Sequence, residues 1–171
     1  GAMIVDDSVH RELRPRNSRR AVLALLSALC ETAPTAEEAS LPFHEVLRTA
    51  RRLARTGSSV FIISDFADAG ETAASEQLFQ LARHTEITAL RISDPLEYAL
   101  PPAGIYAVTD VSGRCTLDTG DARLRARFDS EVSTQQRVVA ALLRKLAIPC
   151  IEVSTDDAPV TVLNRYFGKA G

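Results

Sequence analysis

Tryptophan is absent from the 171-residue sequence, methionine occurs once, and cysteine occurs three times. Cys30, Cys115 and Cys150 are an odd number at scattered positions. Lacking the paired spacing of a zinc site or a disulfide frame, they read as reduced thiols of a cytoplasmic protein. Long apolar runs are missing too. None nears the ~20 residues of a membrane span, and no signal-peptide pattern is present, so no membrane insertion by this segment is expected. Nor is there an excess of one charge. Lys and Arg total 20 against 22 Asp and Glu, a net charge of −2, which supplies no basic field to hold a nucleic-acid backbone. A Gly-rich phosphate loop and a Ser or Cys nucleophile motif are also lacking. His10, His44 and His84 fall far apart, without metal-ligand spacing. Catalysis therefore finds little support, and a non-enzymatic role is expected.

What is present points to a folded domain. Leu, Ile, Val and Phe number 46, about 27% of the chain, above the roughly 20% floor below which chains stay disordered. The length suits one domain, residues 1–171. Met3 to Val5 reads as a short strand, and the segment from Arg11 to Arg16 is basic. Asn17 or Ser18 is a candidate cap for a helix with Val22, Leu25, Leu26 and Leu29 at helical spacing. Ser40 is the candidate cap of a second helix, carrying Phe43, Val46, Leu47, Ala50, Leu53 and Ala54 and ended by Gly57.

Ser58 to Phe66 is the most strand-like run. Its apolar residues are continuous, which predicts a strand covered on both faces. A helix with Leu78, Leu81 and Ala82 follows, then a strand at Ile87–Ile92. Together these make a right-handed parallel crossover. Tyr106–Val108 and Cys115–Leu117 flank Ser112-Gly113 as a hairpin. Asp121 starts a long helix to Leu146, with Leu124, Phe128, Val132, Val139, Leu142, Leu143 and Leu146 as core candidates. Pro149–Val153 is a further strand, and Val160–Phe167 a terminal helix. The expected architecture is one α/β domain, a mostly parallel sheet with helices on both faces plus a hairpin.

Among chemistry candidates Asp65 ranks first. It ends the best strand, and open α/β sheets bind ligands outside that edge, where a carboxylate holds a hard cation well. The plain alternative is a cap on its own loop. Asp94 ends another strand, but the Asp94-Pro95 step favours a turn; Glu97 lines the same edge or sits in solvent, and Asp65, Asp94 and Glu97 are candidate contacts for a protein partner at that edge. Asp110 and Asp118 read as turn residues of the hairpin. Asp6-x-Ser8-x-His10 imitates a metal-binding Asp-x-Ser-x-Ser loop, but its fifth residue is wrong. Arg11, Arg14, Arg16, Arg19 and Arg20 form a local basic cluster, either a solvated face or a receiver of an acidic partner surface, with Arg14 and Arg16 as candidate contacts.

Several stretches in order resemble one family. They are Arg14-Pro15-Arg16-x-Ser18-Arg19-Arg20, Gly57-Ser58-x-Val60-Phe61-Ile62-Ile63-Ser64-Asp65-Phe66, and Leu81-Ala82-Arg83-His84-x-Glu86-Ile87. Asp94-Pro95-Leu96-Glu97, Leu100-Pro101, Gly104 and Asp118-Thr119-Gly120-Asp121 follow. Over about residues 3–130 this resembles the bacterial "domain of unknown function 58" proteins, related to von Willebrand factor A domains. The resemblance implies a Rossmann-like sheet. In metal-binding relatives an Asp-x-Ser-x-Ser loop, a Thr and an Asp hold Mg²⁺, and a partner's acidic side chain completes the shell. Asp65 matches the Asp, and Ser40 stands where the Thr belongs.

On that alignment the first strand and its loop belong upstream of residue 1, so the chain is expected to be a truncated domain that binds no metal tightly, with Mg²⁺ reserved for the full-length protein. The family further implies an adaptor role beside a MoxR-type AAA+ ATPase in assembling or maturing protein complexes. A sheet without its first strand is expected to self-associate as a homo-oligomer. The competing expectation is a metal-dependent phosphoesterase or nuclease using Asp65, Asp94 and Asp118, whose two-metal chemistry needs those carboxylates clustered.

Overall fold

The structure, a computed structural model, describes residues 1–5, 10–31, 41–110 and 113–168. Chain order is β1 (Ala2–Val5), β2 (His10–Leu13), α1 (Arg19–Glu31), α2 (Phe43–Leu53), β3 (Ser59–Ser64), α3 (Thr72–Ala82) and β4 (Glu86–Ser93). A 3-10 turn (Pro95–Glu97) leads to β5 (Ile105–Asp110), β6 (Gly113–Asp118), α4 (Ala122–Lys145), β7 (Cys150–Ser154) and α5 (Pro159–Phe167).

β3, β4 and β7 form a parallel sheet in that order, and β1–β2 and β5–β6 are antiparallel pairs. The fold is thus a mixed α/β one, with helices against both faces of the parallel sheet. Strand alternation sends successive β4 side chains to opposite sides. Ile87 and Ala89 join Leu47 of α2, Ala74, Leu78 and Leu81 of α3, and Val139 and Leu143 of α4 in the main core. Leu90 turns the other way and packs with Ile151, Val153 and Val162 of α5. Each fully buried Leu, Ile or Val side chain among these contributes about 1.5–3 kcal/mol.

The local signals behave as their chemistry dictates. Ser18 Oγ accepts from the Ala21 N–H at 3.2 Å and caps α1; Asp121 Oδ1 accepts from the Arg123 N–H at 2.8 Å and caps α4. Gly57, expected to end the second helix, instead takes φ +78° in the turn into β3 and donates its N–H to the His84 carbonyl at 2.7 Å, because the helix already stops at the extended Ala54. Helix α4 ends in paired bonds, Ile148 N–H to Leu143 O and Ala147 N–H to Arg144 O, with Ala147 at φ 54°. This is a Schellman closure built on alanine where glycine is usual. Ser40, expected to cap the second helix, lies outside the described residues, as do residues 6–9 of the Asp6-x-Ser8-x-His10 loop; the N-cap position of α2 is Pro42, with no side-chain cap bond.

Three further expectations need correction, and the basic segment gains a structure it was not assigned. The continuous apolar run of β3 is covered on one face only: Phe61 is 56% and Ile63 66% exposed, while Val60 and Ile62 pack on the core. β3 is an edge strand among the described residues, and only Phe167 of α5 makes a ring contact with Phe61, centroids 6.0 Å apart. In α1 the expected stripe is largely solvent-facing. Val22, Leu26 and Leu29 are exposed, Leu25 half-buried, and Ala28 the buried residue. The basic segment is partly a strand, for His10–Leu13 pairs with Ala2–Val5. In α4 only Val139 and Leu143 of the seven core candidates are fully buried, because the N-terminal half of this long helix reaches past the main core.

Candidate functional site

The carboxyl ends of β3, β4 and β7 lie side by side, with Ser64 opposite Arg91 and Arg91 opposite Glu152. Each strand end is fastened by its own side chains. Asp65 is exposed; its Oδ1 accepts from Ser64 Oγ at 3.1 Å and from the Ala67 N–H at 3.2 Å. This is the loop-capping geometry of an Asx turn. Phe66 follows at φ 60°, an uncommon backbone for a bulky side chain. Complete burial, an edge-on contact with Phe43 (5.7 Å), and the Ser64 Oγ acceptor for its N–H hold it there.

Asp94 takes the turn role that Asp-Pro favours: Oδ1 accepts from the Leu96 N–H at 2.9 Å. Its other oxygen accepts from Thr155 Oγ1 at 2.7 Å, across from β7. The Thr155 bond first, then the Leu96 amide, holds the Asp94 carboxyl below the usual aspartate value. Glu97 sits exposed on the 3-10 turn. Asp65, Asp94 and Glu97 thus follow adjacent strand ends, while Arg14 and Arg16 are exposed in the segment between β2 and α1.

Sequence reasoning passed over the residue at the centre of this edge. Arg91 stands on the middle strand, its side chain only 10% exposed. Its Nε donates to the Asp65 carbonyl at 3.4 Å, and Nη1 lies 3.8 Å from Glu152 Oε1. Both are long against the 2.7–3.2 Å of ordinary N–H···O bonds. Arg91, Ser93, Tyr98, Gln136, Ala140, Glu152, Ser154 and Asp157 line a cleft of about 460 Å³ here. The signal available in the sequence was a charged residue inside the apolar strand Ile87–Ile92, since arginine is almost never buried without a reason.

The motif stretch around Asp118-Thr119-Gly120-Asp121 serves architecture. Thr119 is fully buried; its Oγ1 donates to Pro102 O at 2.7 Å and accepts from the Gly104 N–H at 3.0 Å. Arg125 of α4 donates from Nε to Thr119 O and from Nη2 to Pro101 O, both at 2.6 Å. Asp118 Oδ1 accepts from the Gly120 N–H at 2.8 Å, as a turn residue does. Together these bonds clamp the β5–β6 hairpin and the Pro101–Gly104 loop onto the start of α4.

Two chemical readings can be set against this geometry. Asp65, Asp94 and Asp118 are each spent on a local turn, and among the described residues no three His, Cys, Asp or Glu side chains are grouped to hold a metal. The two-metal phosphoesterase or nuclease thus has no cluster to work from there. A Mg²⁺ shell fares no better: Asp65 is one carboxylate with one oxygen engaged, and Ser40 is outside the described residues, so the described groups do not fit the ion. All three cysteines are free thiols. Burial first, and the Glu152 charge beside it, push the Cys150 thiol up to about 11. No helix among the described residues is long and apolar enough to cross a membrane.

The model of one protein family, described as "Protein of unknown function DUF58", matches residues 1–138. No curated protein and no solved structure matches the chain.

Proposed function

The chain belongs to the DUF58 family, and we propose that it is a non-enzymatic protein-interaction module that presents the carboxyl edge of its parallel sheet to a protein partner. The observation that carries this reading is the edge itself. Asp65, Asp94 and Thr155 are fixed by their own hydrogen bonds around a buried arginine whose bonds within the chain are long. Such an array is preorganised for recognition, with polar groups set on strand ends rather than on free loops. On this reading the domain is a von Willebrand factor A-like one, and the partner is a MoxR-type AAA+ ATPase acting in the assembly or maturation of protein complexes.

The test is calorimetry of the chain with the purified MoxR-type ATPase of the same organism. Asp65→Asn keeps the turn bond and removes the charge; Asp94→Asn does the same at the neighbouring strand. Binding weakened about tenfold in either variant is expected. Equal binding by both variants and the parent chain would remove the strand-end edge from the interface.

A second reading, self-association, is favoured by one specific pair of surfaces. Phe61 and Ile63 are exposed on a strand that is the sheet edge among the described residues, and α1 exposes Val22, Leu26 and Leu29. Exposed apolar edges of this kind are usually covered. The occupant proposed is α1 of a second copy. Arg14, Arg16, Arg19 and Arg20 precede or open α1, and Asp65, Asp68 and Glu71 follow β3, so the two surfaces are complementary in charge as well as in apolar character. Light scattering should give a dimer that Ile63→Lys dissociates; a monomer at high concentration rejects it.

A further inference from the structure

The cleft beside Arg91 has a composition that its architecture does not require. A guanidinium carries five N–H donors, and taking a charge out of water is costly unless it is well paired. Among the described residues the Arg91 guanidinium makes one hydrogen bond, at 3.4 Å, and one ion pair too long to be a hydrogen bond, at 3.8 Å. The side chain is nine-tenths buried, and it borders an open cleft of about 460 Å³. Around it stand further hydrogen-bonding groups: Ser93, Tyr98, Gln136 and Ser154.

The two acidic residues of the rim differ in their freedom. Asp157 Oδ2 is engaged by the Ser154 N–H at 2.9 Å. Glu152 is 60% exposed and held by no short bond to the guanidinium; its Oε1 accepts only a weak bond from Cys150 Sγ at 3.6 Å. Its carboxylate occupies the neighbourhood of Arg91 without meeting the geometry that a planar fork prefers, two parallel N–H···O bonds of roughly 2.7–2.9 Å.

We propose that this cleft is a carboxylate-binding site, in which Arg91 takes a ligand's carboxylate bidentately and Glu152 is the loose resident that the ligand displaces into solvent. The inference deepens the interaction-module reading and rests on it for the preferred source of that carboxylate, an aspartate or glutamate side chain of the partner. A free small carboxylate offers the same chemistry. Ser93, Tyr98 and Gln136 supply donors for the oxygen lone pairs that Arg91 leaves open. Displacing Glu152 also spares the site the repulsion of two carboxylates on one guanidinium.

The experiment follows the Arg91 Nε–H resonance of the ¹⁵N-labelled chain during titration with N-acetylglutamate amide, N-acetylglutamine amide and glutarate. A saturable shift with the glutamate amide and none with the glutamine amide is expected. Arg91→Lys keeps the charge but loses the fork, and should weaken binding, followed by backbone resonances, about tenfold. Glu152→Gln should tighten binding about threefold or more by removing the competing charge. Equal shifts with both amides overturn the proposal. So does a Glu152→Gln chain that is well folded and binds no better, because Glu152 is then a structural partner and not a placeholder. Glutarate binding at least tenfold tighter than the glutamate amide assigns a free small carboxylate; the reverse order assigns a side chain. The two readings fail separately. Carboxylate binding that persists while the ATPase does not bind upholds the site and rejects the partner. ATPase binding that survives Arg91→Lys while amide binding is lost upholds the site and takes it out of that interface.

Discussion

Thr155 Oγ1 donates to Asp94 Oδ2 at 2.7 Å, joining the ends of two adjacent parallel strands, β4 and β7, through side chains 61 positions apart. The same carboxylate caps the 3-10 turn, so one residue fixes a strand end, a turn and a neighbour. Because these bonds favour the ionised form, the folded carboxyl titrates below the unfolded one. Its stabilising contribution is present above the ordinary value of 3.8 and is lost as pH falls through the lower folded value. Thr155→Val should move the Asp94 titration back up toward 3.8, read by carboxyl ¹³C NMR. An unmoved titration would show that the Leu96 amide alone sets it.

The clamp on the hairpin gives a stability prediction. Thr119→Val keeps the shape and removes the hydroxyl, leaving the Gly104 N–H and Pro102 carbonyl with one partner fewer. Pro102 is exposed and keeps the Tyr106 hydroxyl as a donor, and Gly104 is half-buried, so each lost bond costs about 0.5–1.5 kcal/mol and urea unfolding should show a loss of ~1–2 kcal/mol. A change below about 0.5 kcal/mol would mean that water takes over the bonds.

Ala147 offers a change in the opposite direction. A non-glycine residue at φ 54° meets the left-handed penalty of roughly 1–2 kcal/mol. Ala147→Gly relieves it, offset by the greater freedom of glycine in the unfolded chain. The expected net is a stabilisation of about 0.5 kcal/mol, visible as a higher Tm. A lower Tm would show that the methyl group packs usefully.

Cys150 should be the slowest of the three thiols toward iodoacetamide at pH 8. Its thiol is raised from an ordinary 9.0 to about 11, while Cys30 and Cys115 are exposed. A thiolate is the reacting species, so a shift of this size lowers its population by about a hundredfold. Because the folded value is the higher one, the folded state holds the proton longer. Its stability relative to the unfolded chain therefore falls as pH rises from about 9 through about 11. Glu152→Gln should speed the modification. Equal rates for all three cysteines would contradict the assigned burial.

Much of the fold was legible because it follows from local chemistry. Caps at Ser18 and Asp121, the Asp94-Pro95 turn and the β5–β6 hairpin each depend on a few neighbouring residues, and each appears in place. The apolar run Val60–Ile63 was misleading for a physical reason. A continuous run reports what a strand could bury, not what is there to cover it, and Phe61 and Ile63 remain exposed. Arg91 was hidden by the opposite problem. Its neighbours Asp65, Glu152 and Gln136 come from other elements, so only tertiary placement makes it the floor of a cleft. Asp65 was correctly placed at a strand end, but its loop bond, not a metal shell, is what the described residues build around it.

Helix α4 carries a mechanical consequence. Its 24 residues span about 36 Å. Arg125 grips the hairpin near one end, Gln136 and Ala140 wall the cleft at mid-length, and Leu143 anchors the far third in the core. These places ride on a single rod. Any rotation of that rod that re-seats its buried end must swing the hairpin and reshape the cleft together, so neither can be re-engineered without disturbing the other.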